Sequence, residues 1–404
     1  MTTMPKNKRP VPRKPTVSPQ EKDDALTQKL CDLALELAEQ EDSETMSDAL
    51  RQRNSDFGKL VKKTLYQKKD EILYEALERS KYADIGAYRL LKERIEETSE
   101  SIVTARADGK NVEIDAFVIP MFVHTLGGIQ FEDCFEDQEA FELLSNSLQE
   151  AELESRDAVV VLVNHAYHLD EIDAITFSHL NEMVRDAQAS MADMRGAATP
   201  AIDRSFGPWP EGQFAPDDHA MELRFLLGFA LKTTDDAFYR IPQEEAAMDA
   251  YFSARAERFE QWAAQIVPVI KRCLAVEGAE IDVNFLYQDL FHGGKERAIA
   301  EYFMLQMMSE LNHGLAQHGV DPADAKAIIG PAEVRGDAVL RVNLHASAGD
   351  ALLASAEKPW NMARDLEDEI ADVQDALSTI GVTALALAEK YGADGQAAGV
   401  RPLV

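Results

Sequence analysis

The apolar pattern changes its period once, at Asp108-Gly109-Lys110-Asn111, and that change constrains the fold more than any other feature. Before it the apolar residues recur every three to four positions, as on one face of a helix. Leu26, Leu30, Leu33 and Leu37 mark one helix, Phe57, Val61, Leu65 and Ile72 a second, and Ile85, Tyr88, Leu91 and Ile95 a third. After it come branched and aromatic runs. Val112 to Val123 reads as a strand, and Ala158-Val159-Val160-Val161-Leu162-Val163, which lacks alternation, reads as a central strand covered on both faces. Residues 221–232 alternate, with Leu223, Phe225, Leu227 and Phe229 opposite Glu222 and Arg224, which predicts a half-buried strand. Helices are expected around Phe141, Leu144 and Leu148, over about 174–192, and over about 243–276, where Phe252, Phe259, Trp262, Ile266 and Ile270 point inward and Pro268 should kink the chain.

The remainder reads as strand 280–288, helix 295–318, strand 326–330, a turn at Gly336-Asp337, strand 338–345, helix 361–380 and strand 382–388. That βαββαβ order is ferredoxin-like. The expected class is therefore α/β, or α+β: an N-terminal helical segment followed by two α/β blocks. The expected divisions are a basic, proline-rich, disordered arm over 1–21, a helical segment over 22–106, a first block over 107–240, a connecting helix over 241–278, a second block over 279–392 and a flexible tail over 393–404. Glu113-Ile114-Asp115 and Glu280-Ile281-Asp282 open the two blocks, and His124 with Gly127-Gly128 echoes His292 with Gly293-Gly294; the echo is compatible with a degenerate duplication.

Charge narrows the partners. The net charge of −31 is uneven, because the first twenty residues carry five basic side chains and no acid. A strongly acidic body has no electrostatic footprint for nucleic acid or an anionic membrane, leaving residues 1–20 as the one segment suited to nucleic acid. No apolar stretch approaches the roughly 20 residues that span a bilayer. Three scattered cysteines, Cys31, Cys134 and Cys273, form no disulfide framework, and the basic start lacks an apolar run behind it, so a cytoplasmic protein is expected.

Three stretches could carry chemistry. His165, His168, Asp170 and Asp173 directly follow the 158–163 strand, where open α/β sheets bind ligands; with His124 and His292 at further strand exits they offer nitrogen and oxygen donors to a divalent metal or to acid–base work. The bland alternative for these residues is helix capping. Gly293, Gly294 and Lys295 meet a helix start and could hold an anion, or simply let the chain turn sharply. Phe206, Trp209 and Phe214 sit in the proline-rich segment 195–220 and suit an interaction loop. Glu310 and His313 have ExxH spacing without a second such pair, and Met304, Met307 and Met308 read as adaptable core. The acids from Asp365 to Asp375 read as the solvated face of a helix whose buried stripe is Leu366, Ile370, Val373 and Leu377, and the lysines from Lys59 to Lys69 as charge balance for nearby acids.

No catalytic set is complete and no catalytic residue can be named. Two functions follow from the residues: a non-enzymatic, regulatory or scaffold-type protein with a protein partner or a second copy of itself, and a metal-dependent or acid–base hydrolase-like enzyme centred on His165 and His168.

Overall fold

A computed structural model describes residues 18–40, 47–105, 111–126, 138–153, 158–192, 220–233, 241–275, 280–348 and 351–403. The expectations for residues 1–17 of the basic arm and for Phe206, Trp209 and Phe214 lie outside these residues, while residues 18–21, expected to be disordered, cap and open a helix. The chain divides into two compact units, residues 1–95 and 96–404.

The first unit is helical. Helix α1 (Pro19–Ala38) opens with a capping box in which the Ser18 hydroxyl accepts from the Glu21 N–H and the Glu21 carboxylate accepts from the Ser18 N–H. Helices α2 (Asp48–Tyr66) and α3 (Asp70–Ala83) follow, and α4 (Ile85–Glu100) carries the chain into the second unit. Leu30, Phe57, Val61, Leu73 and Leu91 are fully buried at its core. The expected stripe running from Phe57 to Ile72 belongs to two helices, because the chain turns at Gln67-Lys68 with Lys68 at φ 53°. Lys69 reaches Asp23 at 2.5 Å and Lys59 reaches Asp56 at 3.5 Å, which is the charge balance expected of that basic run.

The second unit holds two sheets. In the first, β1 (Ser101–Ala105), β2 (Asn111–Leu126), β4 (Ala220–Thr233) and β3 (Val159–His168) lie in that order, with β5 (Glu280–Phe285) and β6 (Asp289–Leu290) also paired to β2. All these pairings are antiparallel. Helices α5 (Gln138–Glu150) and α8 (Glu245–Leu274) cover one face, packing Leu144, Trp262 and Ile266 on Ile119, Met121 and Leu226. Helices α6 (Leu169–Asp173), α7 (Phe177–Ala192) and the first half of α9 (Phe291–His318) cover the other, packing Leu180, Val184 and Phe291 on Val118, Phe122 and Phe225. Cover on both faces explains one departure from the sequence reading. Strand β4, expected to be half solvated, is buried from Glu222 through Ala230, and Glu222 and Arg224 are buried as an ion pair. The centre of the sheet is β2 with β4, while the 158–163 run forms an edge strand with Val159 47% exposed. Gly228 is where the Phe117 ring crosses β4, since a Cβ there would lie 2.3 Å from Phe117 Cζ.

The second sheet runs β13 (Arg401–Pro402), β10 (Ala384–Leu387), β7 (Ala325–Val334), β8 (Asp337–Ala346), β9 (Leu352–Pro359). Strands β7 and β10 are parallel, connected through β8, β9 and α10 (Leu366–Thr379), and β7–β8 is a hairpin whose turn residues Arg335 and Gly336 both have positive φ. Met307, Leu311 and Leu315 from the second half of α9, with Val373 and Leu377 from α10, bury against Ile329, Leu340 and Val342. Small strands β11 (Lys390–Tyr391) and β12 (Ala397–Ala398) pair with each other, and β13 bonds to β10, so two short paired strands lie within 393–403, where a flexible tail was expected.

The mixed helix-and-sheet class with a leading helical segment is as the sequence indicated. The ferredoxin-like order of the second block is not: the 280–288 segment pairs with β2 in the first sheet, and β9 takes part in the second. The two sequence echoes therefore lie in one sheet, with His124 opposite Asp282, rather than heading two separate sheets. Phe252, expected inward, is 43% exposed on α8.

Candidate functional site

The histidines at the end of β3 are gathered by a bulge and a short helix. Between Leu162 and Ala166 the pairing with β4 slips, which leaves Asn164 and His165 outside the ladder. His168 is the N-cap of α6: its Nδ1 accepts from the Asp170 N–H at 3.2 Å, and the Glu171 carboxylate closes the capping box by accepting from the His168 N–H at 2.7 Å. Glu171 Oε2 also meets His165 Nε2 at 2.9 Å. Burial raises the Glu171 pKa, but the His165 contact, the His168 N–H and the Arg224 charge outweigh it and hold the carboxyl below its usual range. Burial and then Arg224 push His168 the other way for a base, to a lowered pKa that favours the neutral ring. Arg224, 2% exposed, donates to Glu222 Oε2 at 3.1 Å and to the Ala166 carbonyl at 3.2 Å.

The other candidates are placed elsewhere. Asp173 pairs with Lys295 at 3.3 Å, while His124 lies beside Asp282 on neighbouring strands. His292 does not leave the sheet with His124, because β5 and β6 run antiparallel to β2; it sits in the first turn of α9, 5% exposed. There its Nε2 faces Ser99 Oγ at 2.8 Å and its Nδ1 lies 4.0 Å from Glu96. Ser99 donates its one hydroxyl proton to the Glu96 carbonyl, so it accepts from His292, which carries a proton on Nε2. The His292 N–H, next to the glycine pair expected to offer its N–H groups to an anion, donates to Glu100 Oε2 at 2.9 Å, a carboxyl from the end of α4. Burial pushes Glu100 up to about 8; the His292 N–H opposes this, and Glu96, Asp115 and Asp289 add to it. Gly294 serves a close approach, since a Cβ there would lie 2.6 Å from Val118. Among the described residues no group of three or more His, Cys, Asp or Glu is arranged to hold a metal ion.

A feature the sequence did not announce is a trough of about 950 Å3 between α9 and α10. One wall is an uninterrupted stripe of α9 running from Gly293 through Arg297, Glu301 and Leu305 to Met308; the other is Asp372, Asp375 and Thr379 of α10 with its C-cap Ile380. Lys358 and Arg364 close one end. Lys358 is buried against Glu369, and Arg364 reaches Glu369 at 3.1 Å and Asp372 at 2.7 Å. Glu369, expected on the solvated face, is thus 1% exposed, because a lysine from β9 reaches under the helix to meet it. Met307 and Met308 are core as expected, with Met304 packed against them, and Met304 and Met308 also line the trough.

Residues 16–331 match a protein family described as a protein of unknown function (DUF2863). The chain belongs to that family. No curated protein and no solved structure is matched. The matched residues take in the whole first sheet and α9, and they end inside β7, so one wall of the trough lies within the family match and the α10 wall beyond it.

The signal for the trough was present in the sequence as Glu301, Met304, Leu305 and Met308, four positions on one stripe of the 295–318 helix. Their exposure depends on where α10 docks, which no local pattern encodes. No helix of the described residues is long and apolar enough to cross a membrane.

Proposed function

We propose that this chain is a non-catalytic interaction protein of regulatory or scaffold type, working through the trough between α9 and α10. The observation that supports it is the uncovered stripe of α9. This helix packs its first half on one sheet and its second half on the other, and beside those buried faces it leaves Leu305 38% exposed in a concave surface. Concave surfaces with an apolar floor and a polar rim are where proteins receive ligands. Three of the side chains that suggested an enzyme, His165, His168 and Asp173, make capping or ion-pair contacts.

Site-specific photo-crosslinking tests the proposal. A benzophenone amino acid at Leu305, irradiated in cells, should capture a discrete partner, whereas the same probe at Val103, 52% exposed on β1, should not. Equal labelling from both positions, or none from Leu305, would overturn it.

A further inference from the structure

We infer that the trough receives a basic amphipathic α-helix of a partner protein, an inference that rests on the interaction reading above and names the partner's chemistry. The first argument is shape. The stripe from Gly293 to Met308 spans four turns of α9, about 22 Å at 1.5 Å per residue. A helix that long and about 10 Å across, sunk to half its depth, displaces roughly 850 Å3. The trough offers about 950 Å3.

The second argument is the floor. Met304, Leu305 and Met308 of α9 face Ala376 of α10 and its C-cap Ile380, an apolar strip bordered by charge on both sides. Unbranched, polarisable methionine adapts to differently shaped apolar side chains, a property suited to receiving a helix face with residues at i, i+3, i+4 and i+7.

Charge selects the sign of the occupant. Lys358 and Arg364 are already neutralised by Glu369 and Asp372. Among the described residues Glu301 and Asp375 have no ion-pair partner, and they stand on opposite walls; the one lining cation left unpaired is Arg297, at the end near Lys358. A helix in the trough therefore passes between two exposed carboxylates, one on each wall. Lysines or arginines flanking its apolar stripe would meet both walls, while acids there would be repelled. The −31 net charge of the chain attracts the same partner from a distance.

The test uses the full chain and fluorescein-labelled synthetic peptides of about 16 residues, the four turns that the stripe spans. The first peptide carries leucine and phenylalanine at helical spacing flanked by lysine and arginine. A second has the same composition with the spacing scrambled, and a third replaces its basic residues with glutamate. Anisotropy at moderate salt should show the first peptide binding at least about tenfold more tightly than either control. Glu301→Lys with Asp375→Lys, both exposed positions, should weaken it by about tenfold or more, and Leu305→Asp likewise. Equal binding of the scrambled peptide would show diffuse attraction to an acidic body and overturn the inference, as would no binding of the first peptide. A crosslink from Leu305 in cells to an acidic or non-helical segment would overturn this inference while leaving the interaction reading standing.

Discussion

Replacing Glu100 with glutamine should make the protein more stable above neutral pH and leave it unchanged in mild acid. Glu100 is 7% exposed, its Oε2 accepts the His292 N–H, and its neighbours Glu96, Asp115 and Asp289 carry the same charge. Its carboxyl is held at about 8 against an ordinary value of 4.5, so the folded chain keeps a proton that the unfolded chain releases. The stability this proton provides is complete below pH 4.5 and is lost as the pH rises to about 8, beyond which the loss is constant. At about 1.4 kcal/mol for each tenfold difference in proton affinity, the gap amounts to roughly 5 kcal/mol. Glutamine has the same shape, keeps an oxygen for the His292 N–H and never ionises. Urea unfolding of both proteins at pH 5, 6, 7, 8 and 9, followed by circular dichroism, reads the difference directly. It should start near zero, grow by about 1.4 kcal/mol per pH unit and level off above pH 8. A difference that stays flat with pH, or a variant less stable throughout, would show that the carboxyl is ionised in the fold and refute the reasoning.

Two further substitutions test the packing and the buried charges. Gly228→Ala places a methyl 2.3 Å from Phe117 Cζ and 2.9 Å from Leu162 Cδ2, so thermal melts should show a loss of about 1–3 kcal/mol, recovered in part by Phe117→Leu. Lys358→Met strips the buried Glu369 of one of its two cations and should cost roughly 3–5 kcal/mol in urea unfolding, whereas adding Glu369→Leu should restore most of it; a double variant as unstable as the single one would show that the lysine matters for its packing alone.

Elements with strong local pattern were legible before any coordinates. The stripe Phe259, Trp262, Ile266 and Ile270 is buried on α8 as its spacing required, and the branched run of β2 is central. What escaped were features set by distant parts of the chain. Strand β9 reads Leu-Leu-Ala-Ser-Ala-Glu-Lys-Pro, poor in branched residues, and is a strand because β8 and α9 supply its partners. Glu369 sits among five other acids of its run with nothing local to distinguish it; only Lys358 draws it inward. At the strand exit, the run of His165, His168, Asp170 and Asp173 marked a place where polar groups gather, but it suits a helix cap as well as a ligand shell, and the Glu171 that meets His165 went unremarked. The bond from the Asp170 N–H to His168 shows the cap.

Helix α9 also dictates how the chain can be cut. Its early residues Phe291 and Ala298 belong to the core of the first sheet, and Met307, Leu311 and Leu315 to the core of the second. A fragment ending with the family match at residue 331 would keep the helix but lose β8, β9 and α10, leaving those three side chains bare to water. One ending before the helix would instead uncover Val118 and Phe225. Neither sheet can be expressed alone without an adhesive surface, so a minimal fragment that behaves as a monomer has to carry both.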